Sequence, residues 1–210
     1  TEDGKNIPLK FEGNYVVVPR PNSATISADN MNVVYRGVVN PMTISFAGVS
    51  DNNVTASAPG LTKGSGLGKY NMSPGQGVEV VINVTGKLPD GTSVNDKKPY
   101  RIKNIPAPQG AIAGQAGENK GAKSRLAVSQ ISAVLPDFEF KVNLRVTQFT
   151  FRVSGQASVT VSGDRVNAAC AAAMARSVKG DIITITDIKT KIEGSDLILR
   201  STSPVTYEIL

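Results

Sequence analysis

Apolar residues along this chain fall into short runs that alternate with polar ones, and clusters of Gly, Pro and Asn separate the runs. A period of two is the mark of a strand that buries one face. The stretch 33–49 shows the pattern most clearly. Val33-Val34-Tyr35 forms one run, and Met42, Ile44 and Phe46 alternate with Thr43, Ser45 and Ala47 in a second. Between them Gly37 and Asn40-Pro41 supply a turn. Pro41 fixes φ, has no N–H to donate, and pushes Asn40 out of helical conformation. The stretch therefore predicts strand, turn, strand: a hairpin or a corner of a β-sandwich.

Strands recur through the first half, at about 15–18, 23–28, 32–36, 42–49, 53–58, 67–73, 77–85 and 98–104. In one of them Val78, Val80, Ile82 and Val84 are predicted to point inward. Leu88-Pro89-Asp90-Gly91 then turns toward Val94 and Tyr100 through an enlarged hairpin loop suited to positive φ at Asp90-Gly91. The run 60–69, GLTKGSGLGK, lacks the spacing of a phosphate-cradling loop and a following helix pattern, and is predicted as a flexible surface loop. Regular spacing of short strands argues for an all-β sandwich of immunoglobulin type, although the Cys-Trp-Cys marks of antibody domains are missing.

Ile105-Pro106-Ala107-Pro108 reads as an extended, semi-rigid connector, which sets the expected domains at 1–105 and 106–210. Residues 1–14 read as a linker or as the tail of a preceding domain's strand, and 1–18 as a segment that could exchange between copies. In the second half, 114–123 is predicted to be a mobile loop and Ser124–Ser129 a short turn of helix. Val142, Leu144 and Val146 alternate, then Phe149, Phe151 and Val153 do so in the opposite phase. One inserted residue, near Thr147-Gln148, predicts a β-bulge if both triplets face one core, and otherwise a strand that crosses from one sheet's face to another's. Ala157, Val159 and Val161 form another run. A helix is expected at about 165–178, capped by Asp164, with Val166, Ala169, Cys170, Ala173 and Met174 on one face and Gly180 past its end. Strands at 181–191, around Leu197 and Leu199, and at 205–209 close the chain. The expected fold class is mainly β: two tandem β-sandwich-like domains, the first immunoglobulin-like, the second a β-domain with one packed α-helix.

Composition narrows the chemistry. The net charge is +6, but each half carries +3, with 11 Lys/Arg against 8 Asp/Glu in residues 1–105 and 12 against 9 in 106–210. Basic residues are spread among acids and aromatics are 5%, which argues against a nucleic-acid groove. With no His and one Cys there is no His-based general base, no ordinary zinc site and no intrachain disulfide. No run approaches the roughly 18 apolar residues of a membrane helix, and the start, TEDGKNIPLK, lacks a signal-peptide core. Candidate acid/base carboxylates are Asp137, Glu139, Asp181 and Asp187. The first two would share a face if they lay on a strand. Cys170, on the inner helix face, reads as a small buried hydrophobe. The Asn-x-Ser/Thr triplets at Asn53, Asn71 and Asn83 mean little in a chain this rich in those residues. No catalytic, cofactor-binding or metal-binding residue is predicted, and the partner-binding residues are left unknown.

Ala24, Ala28-Asp29 and Met31–Tyr35, followed by Tyr35-Arg36-Gly37, Asn40-Pro41-Met42, Ile44-Ser45 and Gly48, resemble a signature of the GldM/PorM family. A second match lies at Lys179-Gly180-Asp181, Thr186-Asp187-Ile188-Lys189 and Ser203-Pro204-Val205. These are periplasmic shaft proteins of gliding motility and type IX secretion. The resemblance implies a non-enzymatic, homodimeric periplasmic rod without cofactors. Its absent N-terminal part would be a helix anchored in the inner membrane beside a GldL/PorL-like motor protein. Its distal end would meet GldK/PorK-like and GldN/PorN-like ring proteins. Two other classes fit a tandem sandwich: an adhesin or carbohydrate-binding surface module, for which exposed aromatics are scarce, and a hydrolase built on Asp137 and Glu139.

Overall fold

In the computed structural model the described residues are 31–210 together with Lys10, Glu12 and Gly13. The strands predicted at 15–18 and 23–28, and all but those three residues of the segment 1–18, lie outside them. Packing divides the chain into two units. The first takes the described residues up to Val34 and Pro41–Arg101, and the second takes Tyr35–Asn40 and Ile102–Leu210.

The first unit is an immunoglobulin-like sandwich of two sheets. Strands β1 (Val33–Tyr35), β3 (Val54–Ser57), β6 (Glu79–Lys87) and β7 (Ser93–Lys103) form a four-stranded sheet in the order β1-β7-β6-β3. Strands β2 (Asn40–Thr43), β4 (Leu61–Lys63) and β5 (Lys69–Met72) form a three-stranded sheet in the order β2-β5-β4. The stretch 33–49 is thus a corner, with its two strands in different sheets. Pro41 is tolerated because β2 is an edge strand, where a missing N–H breaks no interior ladder. The predicted strand 42–49 leaves the ladder at Thr43, yet its alternation persists: Met42, Ile44 and Phe46 are half-buried between exposed Thr43, Ser45 and Ala47. Ile44 still donates its N–H to Gly68 O at 2.8 Å, and a turn closed by Val49 N to Phe46 O ends the run.

Two expectations for this unit fail. The run 60–69 is no plain loop, because Leu61–Lys63 pairs antiparallel with β5, Leu61 opposite Met72 and Lys63 opposite Tyr70. Its glycines lie at the turn and the flank, so a Gly-rich composition hides a short edge strand. Val78, predicted inward, is exposed, since β6 begins one residue later; Val80 and Ile82 are buried as expected. The β6–β7 hairpin has the anticipated enlarged loop, with Leu88 N bonded to Thr92 O and Asp90 Oδ1 accepting from Thr92 N. Val34, Val54, Tyr70, Met72, Val80 and Ile82 fill the core. The Tyr70 hydroxyl accepts from Ala56 N at 3.1 Å and so ties the sheets together.

The second unit is built on a five-stranded sheet. Its strands are β10 (Glu118–Gly121), β12 (Leu144–Val153), β13 (Val159–Ser162), β14 (Ile182–Ile192) and β15 (Val205–Ile209), in the order β10-β15-β14-β12-β13. Strands β8 (Gln109–Ile112), β9 (Gln115–Ala116) and β11 (Ile131–Val134) make a three-stranded sheet in the order β11-β8-β9. Helix α1 (Lys123–Ala127) fulfils the predicted turn of helix, and Phe149, Phe151, Ile183, Ile185 and Tyr207 anchor one continuous core. The predicted mobile loop 114–123 is instead β9 and β10, the latter paired parallel to β15.

Helix α2 (Ala168–Ala173) is shorter than the expected 165–178, and its cap is Asn167, whose side chain accepts from Cys170 N at 3.1 Å. Asp164 has other partners: its carboxylate accepts from Gln130 Nε2, and its carbonyl from Ile131 N. Val166 N bonds to Ser129 O, so these residues stay extended beside β11 until Asn167. Tertiary hydrogen bonds here override helix propensity. Cys170 and Met174 are buried as the periodicity requires, whereas Ala169 is exposed. Residues 195–202 form no strand, so the strand predicted around Leu197 and Leu199 is absent, although both side chains are half-buried between exposed neighbours.

Candidate functional site

The bulge predicted near Thr147-Gln148 is present, and it has a counterpart that the sequence reading missed. Along β12 and β14 the register runs Val146↔Thr190, Gln148↔Lys189 and then Thr150↔Thr186. β12 therefore carries one extra residue at Thr147, and β14 carries one extra in the Asp187–Ile188 step. The two insertions cancel, and the ladder is in step on both sides. At the second, Asp187 adopts φ 50°, a left-handed conformation that Asp accepts more readily than most residues. The apolar positions of β14 shift phase with it: Ile183 and Ile185 are buried before the bulge, Ile188 and Ile192 after it. Asp187, Lys189 and Lys191 consequently face solvent.

Next to this double bulge β14 loses its other neighbour. β15 pairs with it only through Ile182–Ile185, although β14 continues to Ile192. The chain leading into β15 is drawn away from β14, because Ser203 N bonds to Pro108 O and Ser203 O accepts from Gly110 N. Pro204 follows and offers no N–H. The strand and the diverging segment enclose a groove of about 740 Å³, lined by residues of β12, of β14 and of 199–204. A hydrogen bond of 2.8 Å between the Thr190 and Thr202 hydroxyls crosses its floor.

The groove is cationic. Arg152, Lys189, Lys191 and Arg200 line it against a single carboxylate, Asp187. Arg152 is engaged, donating from Nε to Thr186 Oγ1 at 2.9 Å and from Nη2 to Asp187 Oδ2 at 3.3 Å. Hydrogen bonds from Thr186 first, then Thr150 and Arg152, hold the Asp187 carboxyl below the usual carboxylate range. Lys189, Lys191 and Arg200 have no ion-pair partner among the described residues.

The other predicted acid/base residues do not gather around this groove. Asp137 and Glu139 lie exposed in an irregular segment, with Asp137 at φ 58°, so they are not neighbours on a strand. Asp181 closes a local turn by accepting from Val178 N at 2.8 Å. Among the described residues no three His, Cys, Asp or Glu side chains are placed to hold a metal ion. Cys170 is buried, and burial raises its thiol pKa, with hydrogen bonding from the backbone N–H groups of Asn167 and of Cys170 itself acting the other way. No helix among the described residues is long and apolar enough to cross a membrane.

The segment Tyr35–Asn40 is held by its own side chains. Asn40 is buried; its Oδ1 accepts from Tyr35 N at 2.8 Å, and its Nδ2 donates to Tyr35 O at 2.9 Å and Val38 O at 3.1 Å. Gly37 has φ 87°, and Arg36 Nη1 donates to Asn104 Oδ1 at 2.8 Å. The Tyr35 ring meets Phe138 and Phe140 edge-on, with centroids 4.9 and 5.5 Å away.

Residues 23–103 match the family described as GldM third domain, and residues 106–210 match that described as GldM C-terminal domain. Among curated proteins none is significantly similar in sequence. Similar solved structures include fibronectin(III)-like modules of CbhA from Clostridium thermocellum, at 13% identity over 84% of this chain and 86% of that one, with a TM-score of 0.28. A Bacteroides ovatus SGBP-B in complex with a mixed-linkage heptasaccharide is 14% identical over 92% of this chain and 46% of that one, with a TM-score of 0.26. Domains 4 and 5 of the S-layer protein SbsC are 18% identical over 78% and 74%, with a TM-score of 0.25.

Proposed function

From the premise that the chain belongs to the GldM family, we propose that it is a non-enzymatic structural part of a gliding and type IX secretion machine. GldM C-terminal domains are periplasmic in their family. The chain would be the distal portion of a homodimeric rod whose further N-terminal part is anchored in the inner membrane beside a GldL/PorL-like protein. Energy supplied there would pass along the rod to GldK/PorK-like and GldN/PorN-like ring proteins, with residues 106–210 at the ring end. The observation that carries this reading is the succession of a third-domain match and a C-terminal-domain match along nearly the whole sequence. Domains at 1–105 and 106–210 are part of the same proposal.

Such a part works by position and stiffness. Sheets with continuous cores resist bending, and the specificity of the end lies in surface contacts, which need no reacting group. The test is binding of the purified chain to purified ring proteins of the same organism by interferometry at two salt concentrations. Saturable binding is expected, weaker at high salt given the positive charge. Absence of binding at tens of micromolar at both concentrations overturns the ring contact.

A further inference from the structure

We propose that the groove between β14 and residues 199–204 docks an extended, carboxylate-rich segment of a partner protein. The proposal rests on the rod reading for the identity of that partner as a machine component, but on the groove alone for its chemistry. Charge is the first argument. Arg152 and Asp187 satisfy each other, which leaves Lys189, Lys191 and Arg200 as three uncompensated cations around one depression. Each presents donors only, so the complementary surface must bring acceptors.

Shape is the second. The double bulge turns Lys189 and Lys191 outward at the point where β15 ends, so the cations stand beside a half-strand that β15 leaves unpaired. Bulges often re-aim side chains next to sites in this way. No backbone hydrogen bond among the described residues joins 187–191 to 199–202. The depression of about 740 Å³ runs between the strand and the diverging segment, and the Thr190 and Thr202 hydroxyls and the partly buried Leu199 line it. An extended peptide meets such a channel with alternate side chains, carboxylates toward the lysines and small groups toward the floor. None of the lining residues is aromatic, so the stacking platform that single-stranded nucleic acid uses is not provided.

The probe is a fluorescein-labelled decapeptide of alternating Glu and Ser, titrated with the whole chain by fluorescence anisotropy at low and moderate salt. Saturable binding that weakens with salt is expected, and the matching Lys-Ser peptide should not bind. The triple variant Lys189→Glu, Lys191→Glu, Arg200→Glu should lose at least tenfold in affinity, its circular dichroism unchanged because all three side chains are exposed. The control Lys63→Glu, Lys87→Glu, Lys97→Glu, with the same net charge, should bind within twofold of the parent. No binding by the parent, an unaffected groove variant, or an equal loss in the control overturns the proposal. Cells carrying the groove variant supply the separating readout. If peptide binding is lost yet gliding and secretion persist, the carboxylate site stands and its assignment to a machine component fails.

Discussion

Asn40 closes the loop 35–40 with three hydrogen bonds from one buried amide, both accepting from and donating to the backbone of Tyr35. Asn40→Ala would leave buried backbone groups unpaired, which costs ~1–3 kcal/mol; a lower urea midpoint at unchanged slope is the expected result. Asn40→Asp should be no better, because a carboxylate cannot donate to Tyr35 O. Gly37→Ala combines positive φ with a Cβ pressed against Leu197, and should destabilise by about 1 kcal/mol or more. Asp187 gives a pH signature. Its folded pKa is depressed, so its stabilising contribution is present above the ordinary carboxylate value and is lost as pH falls through the lower folded value. Thr186→Val removes the largest cause of the depression, and an NMR titration of the Asp187 side-chain carboxyl should then show its midpoint raised. Gly37 and Asn40-Pro41 are legible as turn residues, but the sequence holds no sign that the Asn40 amide would be the closure.

At the scale of elements, the two bulges behave as one device. Deleting Thr147, the inserted residue of β12, leaves Phe149 and Phe151 in phase with Leu144 and Val146, and deleting Asp187 leaves Ile188 in phase with Ile183 and Ile185. Each single deletion leaves the other strand's bulge unmatched, and should lower the urea midpoint of the second unit while keeping its dispersed amide spectrum. The double deletion leaves neither bulge and should recover part of that loss, a departure from additivity. The β12 bulge was legible because strongly apolar triplets flank it. The β14 bulge was written just as plainly in the step from Ile185 to Ile188, but polar Thr186 and Asp187 made it read as plain alternation. Helix α2 offers the complementary case. Asn167→Ala should cost ~1 kcal/mol of stability as a lost cap, and Asp164→Ala should leave helix content unchanged while loosening the Gln130 contact. Both can be followed by thermal unfolding. Asp164 was the better cap on paper only because the pairing of Asp164–Val166 with 129–131 cannot be seen from local sequence.

For the whole molecule, the second unit reaches back to residues 35–40, which a cut at the proline pair would remove. Tyr35 packs edge-on against two rings, each such pair worth ~0.5–1.5 kcal/mol. A fragment of residues 106–210 should therefore unfold at a lower temperature than the second unit does within the whole chain. A synthetic peptide of residues 33–42 added in trans should raise that temperature in calorimetry. No gain at millimolar peptide would show that the segment contributes nothing to that unit.

The sequence by itself determined the class of fold, because alternation of period two and turn chemistry are local properties that each short run states independently. It also determined the family through two separated motifs, the buried character of Cys170, and the existence of one bulge. Only the tertiary structure decided which strands are neighbours, that Gly-rich 60–69 and 114–123 contain strands, and where α2 starts. It alone decided that Lys189, Lys191 and Arg200 share a groove. The physical reason is that each of these outcomes depends on a partner distant in the chain. Arg200 lines a groove beside β14 because Ser203 bonds to Gly110 of β8, more than ninety residues earlier in sequence, and so draws the chain away from that strand.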